Sequence, residues 1–265
     1  MHHLEEMRRE NTRPSEISRR TPRTMSNKLN AADNIERHLR ADGHRLWGFV
    51  VYRCTYTDDL AWNECIRRIQ GSVHESMDLC NGHDLLQKGC FELTVIADAG
   101  KLEGASTSFV RRHFQTWCEH ALTEEQGTRE ETERRSQISS PWDSGSPVRY
   151  EFCVQVDEDS MRSINREDDK LGAWVRLIRR NWDPDAARLL RERDRESRVD
   201  DEELDDDIDD MDEEEEYPAV EGCTEEDVGW MKMQLVGLIP ELYANLRNPD
   251  SWHTYYLRPP HVSTV

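Results

Sequence analysis

Cys80, His83, Asp84 and Cys90 fall within one short stretch, and thiolate, imidazole and carboxylate at that density are the groups a zinc ion takes as ligands. A zinc site read from sequence ordinarily shows a tight C-x-x-C pair and a second pair to complete the tetrahedron. This chain has neither, and His44, His74, His113, His120 and His253 stand apart from one another, so isolated side chains are expected rather than a metal site. Gly100-Lys-Leu-Glu-Gly104-Ala-Ser-Thr107 follows a strand-like run and opens a helix-like one, the geography in which backbone amides cradle a phosphate. Its spacing is not that of a phosphate loop, no Lys precedes Ser106, and Glu103 would repel the anion; an ordinary strand-to-helix turn is expected. For nucleophilic catalysis there is no Gly-x-Ser-x-Gly elbow, and no base is placed by spacing beside Cys118. Asp58 and Asp59 near Glu64 could serve as paired carboxylates, but helix capping accounts for the first two. The expectation is therefore no catalytic residue, no metal and no cofactor.

The elements that must position any site begin with Trp47-Gly-Phe-Val-Val-Tyr-Arg-Cys-Thr-Tyr56, a run of strand formers in which Gly48 is the one weak member. Thr57, Asp58 and Asp59 start a helix whose apolar stripe is Trp62, Cys65, Ile66, Ile69 and Val73. A loop with a short helical piece, Asp84 to Gln87, leads to a second strand, Phe91 to Ala97. Ser106 caps a second helix with Val110, Phe114, Trp117, Cys118 and Ala121 on one side. Residues 123–147 read as a surface loop. Tyr150, Phe152, Val154 and Val156 alternate with Glu151, Cys153 and Gln155, predicting a half-buried strand, and Ala173 to Arg179 is a fourth. Thr224 to Asp227 resembles a capping box, opening a helix with Val228, Met231, Leu235, Leu238 and Leu242 in line and a kink at Pro240. Trp252 to Leu257 reads as a closing strand. This order predicts an α+β fold: a largely antiparallel sheet with helices on one face, ferredoxin-like with an inserted helix.

The opening strand, its acidic turn and the Trp-bearing helix resemble a family of uncharacterised proteins of filamentous fungi. Val228-Gly-Trp-Met-Lys232, Leu238-Ile-Pro240, Tyr243, Trp252 and Tyr256-Leu-Arg-Pro-Pro260 match the same set, so the likeness covers about 47–98 and 224–260. The resemblance implies a fungal intracellular protein and carries no activity, cofactor or functional residue with it.

Hydrophobic residues are 35% and charged residues 34% of the 265, too polar for one compact globule throughout. Much of the net charge of −20 comes from residues 200–216, which hold fourteen carboxylates; the rest of the chain is near −6, ordinary for a soluble domain. Residues 1–45 read as a disordered basic arm, with a possible short helix at Ala31 to Arg40, and 185–217 as a disordered acidic insertion. A single α+β core is left at 46–182 and 218–258. Seven cysteines without a C-x-x-C pair suggest a reducing compartment, and with no leader-like start and no long apolar run the expected location is cytoplasmic or nuclear.

If the helices cover one face of the sheet, pleating leaves Trp47, Phe49, Arg53, Trp174 and Arg176 on the other. Aromatic residues and Arg favour binding surfaces, so this face is the candidate interaction site unless the final segment covers it. Glu92 and Glu151 beside the aromatics, and a core without basic surplus, disfavour nucleic acid. The expected role is a non-catalytic protein-interaction or scaffold module whose partner is a second copy or another protein, with no membrane. The alternative is an enzyme or small-ligand-binding protein of the ferredoxin-like dimeric-barrel type.

Overall fold

A computed structural model describes residue 20 and residues 30–137, 145–165, 172–185 and 217–265. The acidic tract and most of the basic arm lie outside the described residues.

Helix α1 (Ala31–Asp42) starts at Asn30, whose side chain accepts from the Asp33 amide, and it buries Ala32, Ile35 and Ala41. The expected arm therefore ends in a packed helix. Strand β1 (Val50–Arg53) is shorter than the ten-residue run. Gly48 is the cause: its φ of +113° turns the backbone, so Trp47 makes only an isolated bridge to Phe91 before the ladder resumes. Helix α2 (Asp59–Leu79) is capped by Asp58 and buries Trp62, Cys65, Ile69 and Val73 as the spacing predicts. Strand β2 (Thr94–Ile96) and helix α3 (Ala99–Leu102) precede α4 (Thr107–Gln126), which Ser106 caps.

The expected surface loop at 123–147 is helical in its first half. Helix α4 runs to Gln126, and a capping box of Thr128 and Glu131 opens α5 (Arg129–Arg135). A polar helix without an apolar stripe leaves only that capping pair as its signature. Strand β3 (Phe152–Val156) is followed by α6 (Glu158–Ile164), capped by Asp157, and by β4 (Trp174–Arg179).

The largest correction lies in the C-terminal third. In place of a helix from Val228, residues Trp230–Gln234 form β5, paired antiparallel with β4. Trp252 begins no strand but sits in helix α8 (Ser251–Tyr255), which follows the short α7 (Tyr243–Asn245). The closing strand is β6 (Val262–Ser263), beyond the prolines.

These strands make one six-stranded sheet in the order β2-β1-β3-β4-β5-β6. The β2–β1, β1–β3 and β5–β6 pairs are parallel, while β3–β4 and β4–β5 are antiparallel. The sheet is thus mixed, not mostly antiparallel, and it does not follow the expected ferredoxin-like arrangement. Nor are the helices confined to one face. Phe49, Val51, Phe152, Val154, Leu177, Met231 and Met233 pack with α1, α2 and the C-terminal helices. Their neighbours Val50, Tyr52, Cys153, Ile178 and Trp230 pack with α4 on the reverse side. Every residue of β3 is buried, which corrects the half-buried reading.

Candidate functional site

The chain leaves β1 toward β2 on one side and returns past it to β3 on the other, with α2 and α4 on opposite faces. In such doubly wound sheets a crevice opens beyond the carboxyl ends of the strands where the winding reverses, and ligands bind there. In this chain that place lies after Arg53 of β1 and Val156 of β3.

Arg176 of β4 is the hub of the polar groups there. Its guanidinium lies 2.6 Å from Asp157 and 2.6 Å from Glu221, and it donates to the Thr107 hydroxyl at 3.0 Å. The same guanidinium stacks over the Trp230 ring at 4.3 Å, while across the ladder Lys232 stands 4.1 Å over Trp174. Cross-strand pairing brings these cations and indoles together: Arg176 faces Lys232, and each cation covers the aromatic on its diagonal. Burial lowers the titration of Lys232, with Arg176 acting in the same direction against the nearby Asp159 and Asp157.

Beside this group, Glu158 accepts from Thr55 at 2.8 Å and Thr57 at 3.0 Å, and these hydroxyls hold its carboxyl below the usual range. Arg53 pairs with Asp59 and lies between the rings of Tyr56 and Trp62, at 4.6 and 5.0 Å. Asp58 is used as the cap of α2, and Asp157 caps α6 while it holds Arg176. Thus Arg53, Asp157, Glu158 and Arg176 all have partners within the chain, while the buried Nε of Arg176 has no hydrogen-bond partner among the described residues.

A second polar cluster lies at the opposite edge and was not legible in the sequence. Arg149, just ahead of β3, is 1% exposed and uses its whole donor fork. It binds both oxygens of Glu125 at 2.7 Å, the carbonyls of Gly48 and Glu92 at 2.9 and 3.1 Å, and the Thr94 hydroxyl at 2.7 Å. Glu125 also accepts from Tyr150, and Gln126 bridges Tyr150 to Leu46. Next to it, His38, Asp42, His44 and Arg247 line a cavity of about 20 Å³, room for a single water. Burial, then the charges of Arg247 and Arg37, push the His38 imidazole down to about 3. Both clusters lie at strand ends, where a capping residue such as Asp157 carries a signal and a lone Arg such as Arg149 carries none.

The five residues expected on one open face do not share one. Trp47 and Phe49 are 0% exposed, packed edge-on to Tyr243 with centroids at 5.4 and 5.0 Å, so the final segment covers them. Arg53 ends the same face against α2, whereas Trp174 and Arg176 point to the reverse side. Trp174 is itself buried beneath Lys232.

Of the residues weighed as metal ligands, His83 contacts Asp78 at 3.2 Å and Asp84 binds Arg20. Among the described residues no three His, Cys, Asp or Glu side chains converge as a metal site would need. The Gly100–Gly104 turn forms α3, and the Gly104 amide donates to the carbonyl of Cys54 at 3.0 Å. Cys54, Cys65, Cys118 and Cys153 are free and buried. Burial pushes the thiols of Cys54 and Cys65 up to about 12 and that of Cys118 to about 11. Thiols in that range are packing groups rather than nucleophiles. Among the described residues no helix is long and apolar enough to cross a membrane. No protein-family model, curated protein or solved structure matches the chain.

Proposed function

We propose that this protein is a non-catalytic interaction module, in which the carboxyl edge of the sheet is a structural joint rather than a substrate site. One observation carries the reading. Arg176, placed where a doubly wound sheet would hold an anionic ligand, is already neutralised by Asp157 and Glu221 and stacked on Trp230. A ligand arriving there would have to replace two carboxylates already within ion-pair distance of the guanidinium. The reading also agrees with thiols displaced far above neutrality.

The test is ligand-dependent melting. A panel of nucleotides, sugar phosphates and small carboxylic acids should move the Tm of the full chain by less than about 1 °C, because ligand binding to the native state raises stability by mass action. Arg176→Met should lower stability, and its double-mutant cycle with Asp157→Asn should show coupling. A panel member that raises Tm in the wild type, and does so no longer in Arg176→Met or Glu158→Gln, would replace this reading with a ligand-binding one.

A further inference from the structure

Arg20 comes from the basic arm, yet its side chain is 9% exposed and seated in a socket of the core. One guanidinium nitrogen donates to Asp84 Oδ2 at 2.8 Å and to Glu36 Oε2 at 2.7 Å, and the other reaches Asp84 Oδ1 and, at 3.0 Å, the Asn81 carbonyl. Nε stands 3.4 Å from Asp33. The Asn81 side chain also donates to the Arg20 carbonyl at 2.7 Å, so backbone and side chain are both gripped. Both oxygens of Asp84 meet two guanidinium nitrogens, a fork-to-fork contact that an ammonium cannot copy.

The socket walls are fixed by contacts that do not involve Arg20. Asn30 caps the helix carrying Asp33 and Glu36, and ties it to the Cys80 carbonyl at 3.1 Å. Gly82 packs against Ala32 and Met77 so closely that a Cβ would meet Met77 at 2.5 Å. Asp33, Glu36 and Asp84 all face the Arg20 guanidinium, and Arg40 pairs with Glu36 from within α1 itself. We propose that Asp33, Glu36, Asn81 and Asp84 form an arginine-recognition site for an arginine-bearing segment of a partner protein, and that Arg20 fills it as a tethered stand-in. A partner then gains access in proportion to the time the arm is released. The site lies on α1 and the segment that follows α2, away from the carboxyl edge, and does not depend on what that edge does.

The experiment uses the full chain and a fluorescent peptide of residues 14–26, titrated by fluorescence polarisation. Arg20→Ala, which takes the guanidinium out of the socket, should bind the peptide at least about tenfold tighter than the wild type, since the apparent constant scales with the open fraction. Changing Arg20 of the peptide to Lys, or adding Asp84→Asn to the Arg20→Ala chain, should abolish that gain, while Arg20→Lys in the chain should free the socket much as Ala does. Equal affinity for wild type and Arg20→Ala would overturn the proposal, as would absence of binding to Arg20→Ala. Undiminished binding of the Lys peptide would overturn it too, because it would reduce the effect to general attraction by an acidic protein.

Discussion

At the scale of single residues, the most consequential side chain is Arg149. It is charged, 1% exposed, and joins helix α4 to the backbone of two strand starts through Glu125, Gly48 and Glu92. Removing one member of such a buried pair strands the other, so Arg149→Met should cost about 3–5 kcal/mol in urea unfolding, and Arg149→Lys should recover little of it. The two arginine hubs differ in setting, since Arg176 lies at the rim with a carboxylate on either side. His38 gives a pH dependence with a definite sign. Its folded imidazole titrates near 3 and its unfolded one near 6.5, so the unfolded chain takes up the proton first as pH falls. Stability from this group is complete above about pH 6.5 and drains away toward pH 3. Tm measured between those limits should fall more steeply with acid in the wild type than in His38→Asn, and parallel curves would refute the assignment.

At the scale of elements, the two long helices were legible because each buries one face, while the short α6 was read as part of a connection. Helices α2 and α4 bury most of their stripes, Trp62, Cys65, Ile69, Val73 and Val110, Phe114, Cys118, Ala121, while Ile66 and Trp117 are half-buried at the margins. Strand β5 is covered on both faces, as β3 is, with Trp230 beneath Arg176 on one side and Met231 and Met233 in the main core on the other, but it was illegible because its Met, Lys and Gln are helix formers where β3 has Phe and Val. Val228, Met231, Leu235, Leu238 and Leu242 then fit a helical spacing by coincidence. Lys232 fits inside the sheet because its ammonium lies over the Trp174 ring. Gly229, at the entry to β5, has φ +70° and the Trp182 ring stands where a Cβ would go. Gly229→Ala should therefore lower the urea midpoint, by more than the roughly 1 kcal/mol that separates Gly from Ala in ordinary backbone. An unchanged midpoint would argue against the β4–β5 pairing seen here. The candidate interaction face was misread for another reason: the assignment of inside and outside to Trp47 and Phe49 assumed that one face was free.

At the scale of the whole molecule, β4 and β5 are antiparallel neighbours, and their connection is closed by the Arg179 amide on the Gly229 carbonyl and Trp182 on the Asp227 carbonyl. A short link suffices to join such strands. Replacing 186–216 by a few Gly and Ser should leave Tm unchanged or raise stability by about 1 kcal/mol, the gain expected from shortening a loop. Aggregation of the shortened chain would show that the tract takes part in the fold. Edge strand β2 is guarded on either side by exposed Glu92 and Asp98, which discourages sheet-to-sheet pairing at that border.

The cover that Tyr243 and Trp252 place over Trp47, Phe49 and Phe152 also has a temporal side. A ribosome makes Trp47 and Phe49 nearly two hundred positions before the residues that shield them. Throughout that interval the nascent polypeptide carries a greasy surface that α1, α2 and Phe91 cover only in part, and β1 must also wait for β3, about a hundred positions downstream, to become an inner strand. Chaperone capture during synthesis, and solubility lost abruptly when translation stops short of Tyr243, follow from that order of emergence.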